Sequence, residues 1–192
     1  MPALILASGS PYRRELLARF SLPFETQPPQ VTEAPREGES PADRALRLAL
    51  EKAQWVASRQ PGAIVIGSDQ VAALGDEVLD KPGNATRARA QLASLSGRRA
   101  CFYTACTVVG GPERLRLAHV DTTCVAFRRL AGEEIERYVA LERPYDCAGS
   151  FKAEALGITL FECIETQDPT ALIGLPLIWL AGALRGAGFR LP

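Results

Sequence analysis

The fold is decided by LILASGSPYRREL, residues 4 to 16. The uncharged run over residues 3 to 7 is typical of a buried strand. Ser10 and the proline after it supply an N-cap and a first-turn proline, which predict that a helix begins there. Arg13 and Arg14 fall in the first turn of that helix, where the partial positive charge of the N-terminus disfavours cations. An anion bound between the two arginines would reverse that penalty.

Composition and charge exclude several classes of protein. The 192 residues are 47% hydrophobic and 23% charged, which is typical of a globular chain and predicts one domain over residues 1 to 192. The 22 basic and 22 acidic residues cancel, so nucleic acid is not an expected partner. The five cysteines include no CxxC pair and favour a reduced compartment. One histidine is too few for a zinc site or a Ser/His/Asp triad.

The chain also lacks the sequence features of export and membrane insertion. Its N-terminus has no basic region followed by a long apolar run, so we expect no signal peptide. The longest apolar run, residues 173 to 184, contains Pro176 and is shorter than the ~20 residues that a membrane span needs. These features predict a cytoplasmic protein that does not bind membranes.

Strand and helix patterns alternate along the chain and predict a mixed-sheet α/β fold. Two β-rich runs, CFYTACTVVG and LRLAHVDTTCVAF, are separated by Gly110, Gly111 and Pro112 and predict a long antiparallel hairpin, whose edges could support a homodimer. The patterns also predict strands at 63–67 and 158–161 and helices at 40–59, 84–97, 133–141 and 175–185.

The turn before the first helix is a candidate phosphate site. Ser8, Gly9 and Ser10 precede a helix N-terminus, which is the general design of a phosphate cradle. The spacing matches neither GxxxxGK[ST] nor GxGxxG, which argues against a P-loop NTPase and a dinucleotide-binding dehydrogenase. From these residues alone, an anion site and a solvated surface with simple serine caps are equally favoured.

Two acidic and two basic residues elsewhere could complete such a site. Asp69 directly follows a predicted apolar strand, where α/β sheets commonly place their sites, although a plain turn aspartate is the simpler reading for it alone. Glu33 lies in a proline-rich loop, residues 24 to 41. Together these two carboxylates could hold a divalent cation. Lys52 and Lys81 would then add positive charge for phosphate.

Several separate motifs, in one order, resemble the Maf family of nucleotide pyrophosphatases. Besides the opening stretch and Glu33, they are EKAQ at 51–54, IGSDQV at 66–71, DKP at 80–82, CAGSFKAEALGITLFE at 147–162 and GLPL at 174–177. The resemblance implies a mixed twisted sheet with flanking helices and two lobes around a cleft, as in the inosine triphosphate pyrophosphatases. It also implies a requirement for a divalent metal such as Mg²⁺, Mn²⁺ or Co²⁺.

The resemblance implies an activity as well. It is to the branch that hydrolyses 7-methyl-GTP, and it is carried by Tyr12, Gln70 and Glu154. Tyr12 stands where that branch commonly has Trp. Glu154 would hydrogen-bond the base and favour its positive charge, Tyr12 would offer an aromatic face, and Gln70 would donate and accept on another base edge. The alternatives are a dTTP and UTP pyrophosphatase of the same family and a nucleotide-binding regulator of septum formation.

The implied chemistry gives each candidate residue a role. Cleavage between the α and β phosphates would release a nucleoside monophosphate and pyrophosphate. Glu33 and Asp69 would hold the metal, and Asp69 would orient or deprotonate the attacking water. The predicted phosphate ligands are Ser8, Arg13, Arg14, Lys52 and Lys81.

Overall fold

Three helices begin where the sequence places their N-caps. The Ser10 side chain accepts a hydrogen bond from the Arg13 amide at 3.4 Å, and the Ser40 side chain accepts one from the Asp43 amide at 3.1 Å. Asn84 caps a third helix in the same way. Each side chain satisfies one of the backbone donors that a helix start leaves without an intrahelical partner. The predicted starts of these three helices are therefore confirmed.

The computed structural model describes residues 2–111 and 114–192. Within them, seven strands and five α-helices follow one another in this order: β1 (Leu4–Ala7), α1 (Pro11–Ala18), β2 (Glu25–Thr26), α2 (Pro41–Ala57), β3 (Ile64–Leu74), β4 (Glu77–Leu79), α3 (Ala85–Leu95), β5 (Arg99–Gly110), β6 (Leu115–Phe127), α4 (Gly132–Glu142), β7 (Phe161–Glu165) and α5 (Leu177–Gly186). No helix in these two ranges is both long enough and apolar enough to cross a membrane.

All seven strands form one mixed sheet. Its order is β2-β1-β3-β5-β6-β7, and β4 pairs with β3 beside this path. β1 is parallel to both β2 and β3, whereas β3, β5, β6 and β7 are antiparallel in succession. This arrangement confirms the mixed α/β sheet and the long hairpin of β5 and β6. Pro112, predicted as part of its turn, lies outside the described residues.

Two strand predictions were wrong. β3 does not end at residue 67 but continues to Leu74, because β5 runs beside it as an antiparallel partner and Asp69 pairs with Ala105. Asp69 therefore lies inside a strand and not in a turn after it. Ile158 lies in a 3-10 turn, Leu156–Leu160, and the last strand begins only at the end of that turn.

Two hydrophobic cores lie at opposite ends of the long strands and define the two lobes. Near the β1 end, Ile66 of β3 and Cys106 of β5 pack with residues of α1 and α5. At the other end, Ala72 of β3 and Phe102 of β5 pack with residues of α3 and α4. β3 and β5 thus run through both lobes, and the residues midway along them lie where the two cores meet.

Two cysteines form a cross-strand disulfide. Cys101 of β5 and Cys124 of β6 are direct register partners, their Cα atoms are 4.1 Å apart, and their sulfurs are bonded. The sequence favoured a reduced compartment over a disulfide framework, and it did not predict this pair. The two residues are 23 positions apart in the chain, and only the hairpin register brings them together.

The predicted homodimer would need an unpaired strand edge, and the outer edge of β6 is partly unpaired among the described residues. β7 covers β6 only from Cys124 onward, so residues 115–123 have no strand partner on that side among the described residues. The homodimer stays a prediction.

Helix α2 lies close to β3 because β3 has a glycine at the contact. A Cβ atom on Gly67 would overlap the Ala49 carbonyl oxygen and would lie 2.7 Å from the Ala53 Cβ. Both of those residues belong to α2, which also carries Lys52. The close approach therefore brings Lys52 to the middle of β3.

We expect Gly67→Ala to lower the free energy of unfolding by about 3 kcal/mol, since the new methyl group has no space between helix and strand. Gly182→Ala is the matched control, because a Cβ there meets nothing within 4 Å and Gly182 lies inside α5. We expect it to raise the free energy of unfolding by about 0.5 to 1 kcal/mol. Urea unfolding measures both changes, and equal midpoints for Gly67→Ala and wild type would contradict the close packing.

Candidate active site

A cleft between the two lobes contains most of the predicted site residues. It consists of two adjoining cavities of about 440 Å³ and 360 Å³, a size typical of small-ligand sites. Both cavities are lined by Tyr12, Arg13, Glu33, Lys52 and Lys81. Asp69, Gln70 and Glu154 line the larger cavity, and Ser8 lines the smaller one.

The Lys52 ammonium joins the two acidic residues. Its Nζ lies 2.5 Å from Asp69 Oδ1 and 2.6 Å from Glu33 Oε1. The side chains of Lys52 and Asp69 are each only 10% exposed, whereas that of Glu33 is 56% exposed. Two carboxylates from distant parts of the chain thus form ion pairs with the same ammonium group. The buried charges of Lys52 and Asp69 compensate each other.

The same cations act on the ionisation of Glu33. Burial raises the pKa of Glu33, but the hydrogen bond from Lys52 and the positive charges of Lys52, Lys81 and Arg13 outweigh burial and lower the pKa below its usual value. The Glu33 carboxylate is therefore fully ionised at neutral pH and is available as a ligand for a cation.

Two arginines of α2 hold the loop that carries Glu33. Arg44 Nη2 donates to the Glu33 carbonyl oxygen, and Arg47 Nη2 donates to the Ala34 carbonyl oxygen, each at 3.1 Å. Arg47 also binds both carboxylate oxygens of Glu39 at 2.5 and 2.7 Å. The hydrogen bond from Arg47 is the largest cause that lowers the pKa of Glu39 to about 2. Sequence reasoning missed both arginines, because nothing in their spacing pairs them with the loop.

The two arginines of the opening stretch separate in the structure. Arg13 is half-buried, lines both cavities and donates from Nε to the Gly174 carbonyl oxygen at 3.1 Å. Arg14 is exposed and lines neither cavity. Consecutive helical residues point about 100° apart, so one position faces the cleft and the next faces solvent. The structure therefore places Arg13 at the cleft and Arg14 outside the cleft lining, and the anion contact of Arg14 stays a prediction.

Ser8 lies at the turn between β1 and α1. It is buried, and its Oγ accepts a hydrogen bond from the Ser10 amide at 3.1 Å. The hydroxyl hydrogen of Ser8 remains able to donate into the smaller cavity. This placement is compatible with the predicted phosphate contact.

The three predicted specificity residues all line the larger cavity, but their contacts differ. The Tyr12 hydroxyl donates to Asp146 Oδ2 at 3.2 Å. Burial and the neighbouring Cys147 and Asp146 raise the pKa of Tyr12, so its phenol stays protonated. Glu154 is exposed and lies in a turn at the rim. The amide nitrogen of Gln70 already donates to protein oxygen atoms, which leaves only its amide oxygen for a ligand.

The structure adds cleft residues that sequence reasoning did not assign. Phe102 and Phe151 pack edge to face, with ring centroids 5.1 Å apart, and form an apolar part of the wall. Lys152 and Asp146 bring opposite charges to the same wall. The SFKAE motif at residues 150–154 was the available signal for Phe151 and Lys152. No sequence signal indicated Asp146.

Glu33 and Asp69 fit a divalent cation by the chemistry of their donors. Hard cations such as Mg²⁺ and Mn²⁺ prefer carboxylate, phosphate and water oxygens, and Mg²⁺ commonly binds through one or two carboxylates together with substrate phosphates. The described residues contain no cluster of three or more His, Cys, Asp or Glu side chains that could hold a metal by themselves. The two carboxylates, with substrate oxygens completing the shell, are therefore the candidate ligands.

This fold and this site define a mixed α/β protein with a cleft in which Arg13, Lys52 and Lys81 lie beside two carboxylates. The chain belongs to the Maf family, since the family described as Maf-like protein matches residues 3–187.

Curated relatives cover the whole length of the chain. The 7-methyl-GTP pyrophosphatase of Xanthomonas oryzae pv. oryzae strain MAFF 311018 is 57% identical over 192 residues, which is 100% of both chains. The 7-methyl-GTP pyrophosphatase of Aromatoleum aromaticum is 54% identical over 98% of this chain and 97% of its own. A crystal structure of protein VC0702 from Vibrio cholerae aligns over 96% of this chain and 98% of its own at 14% identity, with a TM-score of 0.42, too low to bear on the fold.

Glu39→Gln tests the ion pair that holds the Glu33 loop. Folding lowers the pKa of Glu39 from 4.5 to about 2, so the pair stabilises the fold fully above pH 4.5, and this contribution is lost as the pH falls towards 2. We expect the urea midpoints of wild type and variant to differ most near neutral pH and to converge as the pH falls from 4.5 to about 2.

Glu136→Gln is the control, because Glu136 is exposed on α4 and lies past the first turn of that helix. We expect no measurable difference between this variant and wild type at any pH. A Glu39→Gln difference that stayed constant down to pH 2 would contradict the role of the pair.

Proposed function

We propose that this chain is a divalent-metal-dependent nucleoside triphosphate pyrophosphatase that hydrolyses 7-methyl-GTP to 7-methyl-GMP and pyrophosphate. The observation that carries the proposal is the convergence of Glu33 and Asp69 on Lys52, in a cleft that Arg13 and Lys81 also line. The full-length relatives that are named 7-methyl-GTP pyrophosphatase support the substrate.

The phosphate end of the cleft is positively charged. Arg13, Lys52 and Lys81 would bind the triphosphate as charge-assisted donors, and the Ser8 hydroxyl would donate a further hydrogen bond. These charges would also stabilise the negative charge that develops on the leaving pyrophosphate. Lys52 holds both carboxylates and is therefore the residue that links phosphate binding to the acidic pair.

The acidic residues would do the chemistry. Glu33 and Asp69 would hold Mg²⁺, Mn²⁺ or Co²⁺, which when bound neutralises phosphate charge and lowers the pKa of a water molecule. Asp69 would accept a proton from the attacking water, whose oxygen forms a bond to the α-phosphorus. The bond from that phosphorus to the bridging oxygen breaks, and pyrophosphate leaves with the electron pair. No covalent enzyme intermediate is required.

Base selectivity would arise at the opposite end of the cleft. Methylation at N7 gives guanine a positive charge, which favours the aromatic face of Tyr12 and the carboxylates of Asp146 and Glu154. The apolar wall of Phe102 and Phe151 would receive the flat base. No contact among the described cleft residues favours the alternatives of a dTTP and UTP pyrophosphatase or a regulator of septum formation.

The proposal includes the remaining predictions about the chain. We propose that residues 1 to 192 act as one catalytic domain in the cytoplasm, where the nucleotide pool lies, and that the partner is the nucleotide and not nucleic acid.

Asp69→Asn should lower pyrophosphate release from 7-methyl-GTP by about 10² to 10⁴-fold, because the amide cannot accept the proton. Asp76→Asn is the matched control, since Asp76 is exposed in the turn between β3 and β4, outside the cleft lining. Pyrophosphate release is measured with Mg²⁺, Mn²⁺ and Co²⁺ and with a chelator, which should abolish activity. Circular dichroism checks that Asp69→Asn is folded, and a folded variant that retained wild-type turnover would overturn the assignment.

Glu154→Gln should lower kcat/KM for 7-methyl-GTP by about tenfold and for GTP by less than about twofold, since only the methylated base carries a positive charge. Glu162→Gln is the control, because Glu162 is exposed and does not line the cleft. The wild-type panel contains 7-methyl-GTP, GTP, dTTP and UTP. A clear preference of the wild type for dTTP or UTP would show that the substrate is wrongly assigned.

A further inference from the structure

Gln70 and Thr104 together hold the backbone of a segment that closes one side of the cleft. Gln70 Nε2 lies 2.8 Å from Thr104 Oγ1, 3.1 Å from the Ala171 carbonyl oxygen and 3.0 Å from the Leu172 carbonyl oxygen. Thr104 Oγ1 also donates to the Ala171 carbonyl oxygen at 2.9 Å. Because carbonyl oxygens only accept hydrogen bonds, the donating end of the Gln70 amide must face them.

The last residue of the same segment, Gly174, contacts Arg13, which lines the phosphate end of the cleft. The Gly174 carbonyl oxygen accepts from Arg13 Nε at 3.1 Å and from Ser68 Oγ at 2.8 Å. Gly174 has a φ of +131°, and a Cβ there would lie 3.2 Å from Arg13 Nε and 3.3 Å from Arg13 Cγ. The position of the Gly174 peptide therefore fixes where the Arg13 side chain lies.

We propose that Gln70 and Thr104 are positioning residues that act through the backbone of residues 171–174 on Arg13. In this role Gln70 serves the phosphate end of the site through its N–H groups, and does not use them to read the edge of the base. The inference rests on the proposed function, because it takes Arg13 as a ligand of the triphosphate.

The hydrogen bonds from Thr104 and Ser68 to this segment are shielded from water. Thr104 is 0% exposed and does not line the cleft, so it cannot touch a bound nucleotide. Ser68 is equally buried. Water cannot replace a donor lost at either position, so the segment would lose one of the hydrogen bonds that fix its backbone. A small displacement of a substrate-binding side chain is enough to slow catalysis strongly, by up to about 10²-fold for 1 Å.

The decisive variant is Thr104→Val, which keeps the shape of the side chain and removes its hydroxyl. We expect kcat/KM to fall by about tenfold for 7-methyl-GTP, GTP and UTP alike, so that the ratios between nucleotides stay within about twofold. The inhibition constant of tripolyphosphate, which has no base, should rise by a similar factor. Thr104→Ser keeps the hydroxyl and should restore wild-type values.

Gln70→Met removes the amide donors without adding charge and should raise the inhibition constant of tripolyphosphate as Thr104→Val does. The matched control is Thr107→Val, since Thr107 is also fully buried on β5 but donates to the Ala49 carbonyl oxygen of α2 at 3.2 Å. We expect the control to lower the urea midpoint and to leave the kinetic constants and tripolyphosphate inhibition unchanged.

Two results would overturn the inference. One is a Gln70→Met variant that changes the ratio of 7-methyl-GTP to GTP while Thr104→Val behaves like wild type, which would assign Gln70 to the base. The other is unchanged tripolyphosphate inhibition in both variants.

Failure of the proposed function is detected separately. If the wild type hydrolyses no nucleoside triphosphate, calorimetric binding of tripolyphosphate to the wild type and the two variants still tests the inference. Equal affinities, or no binding to the wild type, would then refute it.

Discussion

The pairing of β3 is the constraint on which the site depends. β3 is parallel to β1 only over residues 64–67, but it stays antiparallel to β5 as far as Ala73. β4 pairs with β3 only from Ala72 onward, so among the described strands residues 68–71 are paired with β5 alone and their other edge opens towards the cleft. Successive strand residues face opposite sides of the sheet. Gly67 and Asp69 accordingly face α2, whereas Ser68 and Gln70 face residues 171–174.

This alternation gives the short stretch from residue 67 to residue 70 two separate tasks. On one face, the missing side chain of Gly67 lets α2 approach, and Lys52 reaches Asp69. On the other face, the hydrogen bonds of Ser68 and Gln70 hold the segment that fixes Arg13. A buried cation and a buried carboxylate thus meet on one face of this strand, and on the other face the strand holds the segment that contacts Arg13.

Glu33 is the exception, because it comes from a long loop. Its place is determined by Arg44 and Arg47, which bind the loop backbone from α2, the same helix that carries Lys52. The bidentate contact of Arg47 with Glu39 attaches the end of the loop to α2 and lowers the pKa of Glu39. Both carboxylates of the acidic pair are therefore positioned from α2, although they are 36 residues apart in the chain, as their numbers 33 and 69 show.

The sequence by itself determined the features that depend on neighbouring residues: the helix starts at Ser10, Ser40 and Asn84, and the β5–β6 hairpin. Tertiary structure decided what depends on distant partners. β3 extends past residue 67 because β5 is available beside it, and Cys101 meets Cys124 through the hairpin register. Helix geometry turns Arg13 into the cleft and Arg14 to solvent once α1 has packed. The donors of Gln70 are used by residues about 100 positions away, so no local pattern could show that they are occupied.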